Sequence, residues 1–393
     1  MTAESTRRSP EPLARLRDYE LFSRLGQGGM GAVYLARHTH LDKQVAVKLL
    51  PREHLRNPEM VGRFKREMKA VGKLHHPNII QAFDGGEEKG IHFLVLEYAE
   101  GLDANKLLSC FGKLPISDAC EIIRQAAVGL EHAHLHGLVH RDIKPANLFL
   151  AWPQTSSLRG AADDPASKAR QAESLLPRED NVLADEPRET VEWAGSGASS
   201  GVAMQPVVKV LDLGLALLNS DKQSLAKGIT NTGQIMGTLD YMAPEQTSDT
   251  HTVDIRADIY SLGCTLYTLL AGRPPFYGDQ YSNAYQKIVA HNQASPRPLH
   301  EIRKNVPPAV VAVMSKMLAK RPDDRYTTPI EVAAALEPFC KGNTLLATLV
   351  EAEARQAEEK AKSDAATQAL NSSALEGTAT GADGEGRILA GRG

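Results

Sequence analysis

From Tyr19 the apolar positions follow a strand-like pattern in Tyr19-Glu20-Leu21-Phe22, Ala32-Val33-Tyr34-Leu35-Ala36 and Gln44-Val45-Ala46-Val47-Lys48, with glycine-rich or polar turns between them. That pattern predicts an antiparallel meander. Residues 58 to 73 change to helical spacing through Pro58, Phe64, Met68 and Val71, and Ile91 to Tyr98 return to strand. A small β-rich lobe with one helix therefore ends near Tyr98. Beyond Gly101 the chain turns helical. Ile116 to His136 carries a Ser117-Asp118 start signal, and Asp258 to Ala271 is apolar almost all round, as a central buried helix should be. A larger helical lobe is expected from about 102 to 340, following a small one over 18 to 98.

Three stretches break the pattern. Residues 1–17 are polar and proline-containing, which predicts a flexible lead-in. Between about 152 and 205 the periodicity gives way to Ala, Ser, Pro, Asp, Glu and Arg, and residues 151 to 206 hold nine acids against five bases. Such a composition cannot pack a core, so a disordered insertion is expected. Both tryptophans, Trp152 and Trp193, fall inside or at its edge, so tryptophan emission is expected to report an exposed segment. Trp193 is either an exposed aromatic or an anchor for a partner of the insertion. After Lys341 the run Leu345-Leu346-Leu349-Val350 starts a helix expected to lie on solvent, followed by a disordered tail to residue 393.

Length and composition narrow the classes. At 393 residues the chain exceeds one compact core, which suggests several domains or one large bilobal unit. The 45 Lys and Arg are scattered and balanced by 48 Asp and Glu, so a nucleic-acid partner is not expected. A hydrophobic content of 42% excludes wholesale disorder. The four cysteines form no CxxC pair, and they are expected to be small buried residues in a reducing compartment. No stretch reaches the roughly 18 apolar residues of a membrane span, and a cytoplasmic protein is expected.

The candidate chemistry lies at the turns. Gly26-Gln27-Gly28-Gly29-Met30-Gly31 matches GxGxxG, which brings backbone N–H groups close to phosphate in more than one fold. A dinucleotide site needs a helix directly after the glycines, whereas Ala32 to Ala36 is strand-like and leads on to Val45-Ala46-Val47-Lys48. The glycines then sit in a hairpin turn over a nucleotide. His140-Arg141-Asp142-Ile143-Lys144-Pro145-Ala146-Asn147 places a carboxylate, a base and an amide in one short loop, and Val210-Leu211-Asp212-Leu213-Gly214 adds a second carboxylate after an apolar run. Phosphoryl transfer uses this set: one carboxylate to take a hydroxyl proton, an amide and a carboxylate for Mg²⁺, and lysines to balance phosphate charge.

On these motifs the sequence resembles the protein kinase superfamily, in particular the bacterial eukaryotic-like serine/threonine kinases, over about Tyr19 to Phe339. The resemblance implies an α+β bilobal protein kinase fold and ATP-dependent phosphorylation of protein Ser/Thr hydroxyls, with ATP and Mg²⁺ as cofactors and proteins as substrates. Gly26, Gln27, Gly28 and Gly31 match the glycine-rich loop, Val33 and Ala46 the lining of the adenine pocket, and Lys48 the lysine that contacts the α- and β-phosphates. Glu67 is the candidate for the helix glutamate that pairs with Lys48. Leu96 matches the gatekeeper, Glu97 and Ala99 the hinge, and Asp103 the ribose contact.

Asp142 matches the catalytic base, Lys144 the group that neutralises the γ-phosphate, and Asn147 and Asp212 the metal ligands. Glu245, in Ala243-Pro244-Glu245, and Arg325 match a pair that closes the activation segment, and Asp258 an acid bracing the catalytic loop. Arg141, just before the base, suits pairing with a phosphate on the activation segment, where Thr230 and Thr232 are the expected autophosphorylation sites. Thr238 is expected to engage the catalytic loop instead.

Two departures from the family stand out. Asp212-Leu213-Gly214 replaces the usual Asp-Phe-Gly, and roughly fifty residues separate Asn147 from Asp212 beyond the usual short hairpin. A nucleotide-binding scaffold would show a degraded Lys48, Asp142, Asn147 or Asp212, but all four are intact. A small-molecule phosphotransferase is disfavoured by Gly237-Thr238 and Ala243-Pro244-Glu245, which resemble a protein-substrate platform.

Overall fold

A computed structural model describes residues 11–28, 31–50, 58–152, 205–213, 234–248 and 253–379. The first lobe is one antiparallel sheet of β1 (Ala14–Leu16), β2 (Tyr19–Gly28), β3 (Gly31–His38), β4 (Lys43–Leu49), β5 (Ala82–Glu88) and β6 (Ile91–Glu97). Its order is β1-β2-β3-β4-β6-β5, with helix α1 (Pro58–Val71) between β4 and β5 in the chain.

Strand alternation divides this sheet into two faces. Val45 and Val47 of β4, with Phe93 and Val95 of β6, join Leu16, Tyr19, Leu21 and Ala36 in a small core of their own. The intervening positions take the other face, where Ala46 pairs with Leu96 and Lys48 with Leu94. Val33 of β3 is in register with Lys48. One residue of slip would exchange the two faces, so the apolar pattern itself sets Lys48 in the cleft.

The lead-in expected over residues 1–17 needs correction at its end. Ala14–Leu16 form β1, paired with Leu21 to Tyr19 across a tight turn in which Arg17 takes φ 48°.

The second lobe begins with β7 (Gly101–Asp103), α2 (Ala104–Phe111) and α3 (Ile116–Leu135). A single 3₁₀ turn, Pro145–Asn147, leads into β8 (Leu148–Ala151), which pairs with β9 (Val207–Val210). The strands run β7-β8-β9, and the last pair, Ala151 with Val207, brackets the long insertion, whose residues 153–204 lie outside the described ones. Helices α4 (Gln234–Leu239), α5 (Pro244–Ser248), α6 (Arg256–Ala271), α7 (Ala284–Gln293), α8 (Leu299–Ile302), α9 (Pro308–Met317), α10 (Pro329–Leu336) and α11 (Leu345–Ala379) complete the lobe.

Helix α6 is the lobe's centre, buried at every position from Ala257 to Ala271. Its hydroxyls cannot reach water there. Ser261, Thr265 and Thr268 donate instead to the carbonyls of Ala257, Ser261 and Cys264, four residues back. The helix stops at Gly272, in the left-handed region at φ 77°, where a Cβ would lie 2.5 Å from the Gly112 carbonyl oxygen.

The C-terminal helix does not lie wholly on solvent. Leu345, Leu349 and Ala352 are buried in the lobe's core. Asp118, fully buried in α3, accepts hydrogen bonds from the Thr344 backbone N–H (2.7 Å) and the Thr348 hydroxyl (2.6 Å). Trp152 also departs from the expected exposure: it packs against the core and its Nε1 donates to Glu353 at 2.6 Å. Trp193 lies outside the described residues. Among the described residues no helix is long and apolar enough to cross a membrane.

Candidate active site

The lobes meet through Asn78 to Gln81. Val210 N–H donates to the Asn78 carbonyl (2.9 Å) and Ile80 N–H to the Val210 carbonyl (3.1 Å). The Asn78 side chain donates to the Val208 carbonyl, and Gln125 Oε1 accepts from Val208 N–H. These bonds fix β9 from the side opposite β8, and with it the position of Asp212 two residues beyond the strand.

In the cleft Lys48 Nζ reaches Asp212 Oδ1 at 2.7 Å, across 164 positions of sequence. The lysine is almost wholly buried, and the carboxylate is the charge that compensates it there. Asp212 sits at φ 59°, a strained conformation for a residue with a side chain, and Leu213 directly after it is buried in the lobe's core. Glu67 falls on α1, and its side chain lies outside the described residues.

The catalytic loop forms a second cluster. Lys144 Nζ donates to both oxygens of Asp142, at 3.0 and 2.8 Å, and to Thr238 Oγ1 at 3.1 Å. Asn147 Nδ2 donates to the Asp142 carbonyl at 2.7 Å, which leaves Asn147 Oδ1 as the atom to face a cation. His140 orders the loop from beneath: Asp142 N–H donates to its Nδ1 and its Nε2 donates to the Leu211 carbonyl, the arrangement of a neutral ring protonated on Nε2.

Asp258 holds the loop from α6. Its carboxylate accepts from the backbone N–H of His140 (2.8 Å) and Arg141 (2.7 Å) and from His134 Nε2 (2.8 Å). Burial alone would raise its pKa, but the hydrogen bonds from the His134 ring and the His140 backbone outweigh burial and hold it below the usual carboxylate range. Arg141 takes φ 65°, and its side-chain Nε is buried with no hydrogen-bond partner among the described residues.

Beyond the loop, Arg325 forms a forked pair with Glu245 at 2.7 and 2.9 Å. Its remaining N–H groups donate to the carbonyls of Ala319, Arg256 and Lys320, so all five are used. Asp240, just after α4, is paired with Lys287 of α7; burial raises the Asp240 pKa while the lysine opposes the rise.

The remaining candidate positions line the cleft or cap its elements. A Cβ built at Gly26 or Gly28 meets nothing within 4 Å among the described residues, and Gly31 takes φ 114°. The Gln27 side chain accepts from Arg24. Ala99 is half-buried between β6 and β7. Asp103 caps α2, accepting from Lys106 N–H at 2.9 Å. The Glu97 side chain turns away to Lys209 of β9 at 3.0 Å, a tie between hinge and hairpin that the motif did not suggest. Thr230 and Thr232 lie outside the described residues. Sequence reasoning also missed His134, Lys209 and Gln246, none of which belongs to the quoted motifs.

The family model for the protein kinase domain matches residues 19–159 and 179–337. The serine/threonine-protein kinase PknB of Mycolicibacterium smegmatis is 33% identical over 323 residues, 81% of this chain and 42% of its own length. PknB of Mycobacterium tuberculosis is 32% identical over the same number of residues. Among solved structures, the Mycobacterium tuberculosis PknI kinase domain superposes with a TM-score of 0.56 at 25% identity, covering 83% of this chain and 98% of that one. The chain therefore belongs to the protein kinase family. It spans about two fifths of the length of the curated relatives it matches.

Proposed function

We propose that the protein is an ATP-dependent serine/threonine protein kinase. The observation that carries this reading is the convergence, in one cleft, of the Lys48–Asp212 pair and the Asp142–Lys144–Thr238–Asn147 cluster. Two oxygen donors, Asn147 Oδ1 and the Asp212 carboxylate, suit Mg²⁺, which takes few protein ligands and completes its shell with phosphate and water. Bound Mg²⁺-ATP supplies the phosphoryl group and the neutralising charge.

The protein's own residues do the rest. Asp142 accepts the proton of a Ser or Thr hydroxyl as the hydroxyl oxygen bonds to the γ-phosphorus and the bond to ADP breaks. Lys144, anchored between Asp142 and Thr238, holds positive charge where the transferring group becomes most negative. With nucleotide bound, Lys48 would pass from Asp212 to the α- and β-phosphates, and Gly26 and Gly28, lacking side chains, would let the backbone approach them. On this reading the hinge at Leu96, Glu97 and Ala99 would take the adenine and Asp103 the ribose.

Activation on this reading runs through autophosphorylation at Thr230 or Thr232, with Arg141, whose Nε has no hydrogen-bond partner among the described residues, as the receiving charge. Free thiols, three of the four buried, fit a reducing cytoplasmic setting.

The test is transfer from labelled Mg²⁺-ATP to casein by purified protein, beside Asp142→Asn. Wild-type labelling that falls by about 10²-fold or more in the variant is expected. A wild type that binds ATP but labels neither casein nor itself would overturn the reading. For the activation step, Thr230→Ala/Thr232→Ala protein should lose activity and change its phosphopeptide map; unchanged values for both would refute it.

A further inference from the structure

Gln246, the residue after Glu245, is the third residue of α5, and its amide splits its two ends between two parts of the chain. Its Oε1 accepts from the Ala243 N–H at 2.9 Å, closing the first turn of α5 as a capping residue does. Its Nε2 donates to the Arg141 carbonyl at 2.9 Å, 105 positions away in sequence. Only the first bond is explained by helix capping.

The second bond lands on the peptide that carries the base. The Arg141–Asp142 peptide has two polar ends, the Arg141 carbonyl held by Gln246 and the Asp142 N–H held by His140 Nδ1. Upstream, the Arg141 N–H is held by Asp258. Arg141 itself is at φ 65°, a strained conformation for a residue with a side chain, so it persists only where its surroundings dictate it. Asp258 and His140 belong to the buried frame of the second lobe. Gln246 is different, because it stands on the segment that also carries Thr238, Asp240 and Glu245.

We propose that Gln246 is a positioning residue for phosphoryl transfer. It ties the order of the activation segment's end to the orientation of Asp142 through the Arg141 carbonyl. The inference rests on the reading of Asp142 as the base. The base would thus be held in line only when α5 is in place, and it would swing with the relaxing Arg141 peptide when α5 is not.

Gln246→Glu isolates the bond, since it keeps the shape and the capping acceptor but replaces the donor with a carboxylate facing the Arg141 carbonyl. With casein as acceptor, kcat should fall roughly tenfold to a hundredfold, since misplacement of about 1 Å can cost that much. The KM for ATP should stay within about twofold and the melting temperature close to wild type. The deficit should narrow as pH falls, because the introduced carboxyl regains a donor when protonated. Gln246→Met, which loses both bonds, should lose at least as much kcat and some stability as well.

A Gln246→Glu protein with wild-type kcat would overturn the inference. So would a variant whose kcat and melting temperature fall while its ATP KM rises, with no pH recovery, which would make Gln246 a structural residue only. An active wild type, an inactive Asp142→Asn and an unaffected Gln246→Glu would sink this inference alone, whereas an inactive wild type would sink the kinase reading beneath it.

Discussion

Replacing Asp258 with Asn tests the frame of the catalytic loop with almost no change of shape. The carboxylate accepts three N–H groups on two oxygens: Arg141 on Oδ1, His140 and His134 on Oδ2. An amide offers one acceptor and one donor. Placed to keep His140 and His134, it turns its NH₂ toward the Arg141 N–H; placed to keep Arg141, it faces two donors instead. The better choice still loses one charge-assisted bond, leaves a buried N–H unpaired and removes the charge from the other two. Hydrogen bonds to charged groups contribute about 1.5–3 kcal/mol each and an orphaned buried donor costs about 1–3 kcal/mol, so Asp258→Asn should destabilise by about 3–5 kcal/mol. In a domain of this size that corresponds to a melting temperature lower by roughly 10 °C. The orphaned group is the N–H of the strained Arg141, so its peptide relaxes and kcat should fall about 10²-fold below the melting transition. Because the folded pKa of Asp258 is depressed, its contribution is complete at neutral pH and fades only as pH falls through that low value. The measurements are a thermal melt at pH 7 and steady-state kinetics on casein. An Asp258→Asn protein that melts within about 2 °C of wild type and keeps its kcat would refute the reasoning.

Three further outcomes follow from other parts of the fold. His291 is buried, its pKa lowered to about 3 by burial and by Lys320 and Lys287, so the unfolded chain binds its proton first and stability should drop as pH falls below about 6.5. The slope can reach about 1.4 kcal/mol per pH unit; melting temperatures from pH 7 to 4 should fall less steeply in His291→Asn, and parallel curves would count against it. Gly101→Ala should destabilise by about 3 kcal/mol or more in a urea titration, because φ is +143° and the new Cβ would lie 1.9 Å from the Leu150 carbonyl oxygen; an unchanged midpoint would disprove the close approach. Truncation after Lys341 uncovers Asp118 and the contacts of Leu345 and Leu349, so a loss of about 3–5 kcal/mol is expected, with a red shift of Trp152 emission in a Trp193→Phe background. Emission that stays blue-shifted would show that Glu353 and its helix do not cover Trp152.

Strand alternation and loop motifs carried much of the site. The period of two placed Lys48 on one face of β4, and the short loop from His140 to Asn147 holds its chemistry within eight residues, where local sequence is informative. The less legible features depend on distant partners. Β1 is three residues long and has no pattern of its own; it exists because β2 offers it an edge. Asp118 carried the signature of a helix start, yet its carboxylate answers Thr344 and Thr348, more than two hundred positions away. The apolar run at Leu345 gave the helix but not its seat, since an amphipathic pattern does not identify the surface that covers it. Glu97 and Gln246 are ordinary polar residues in sequence, and only the fold brings Lys209 to one and the Arg141 carbonyl to the other.

The β8–β9 hairpin has a consequence for how the chain folds. Its terminal pair, Ala151 with Val207, closes a loop of roughly 55 residues, against a handful in a tight hairpin, and the logarithmic growth of closure entropy makes that pairing about 2 kcal/mol more costly. The penalty falls on the strands that adjoin Asn147 at one end and Asp212 at the other. Β9 offsets it through partners other than β8: Asn78, Ile80, Gln125 and, through Lys209, Pro77 and Glu97. All of these lie upstream of the loop, so they can be in place before the distant strand arrives. The proposed metal ligands, Asn147 and Asp212, are therefore assembled on a late, non-local contact whose rate is set by chain diffusion, and shortening the connection should accelerate refolding more than it slows unfolding.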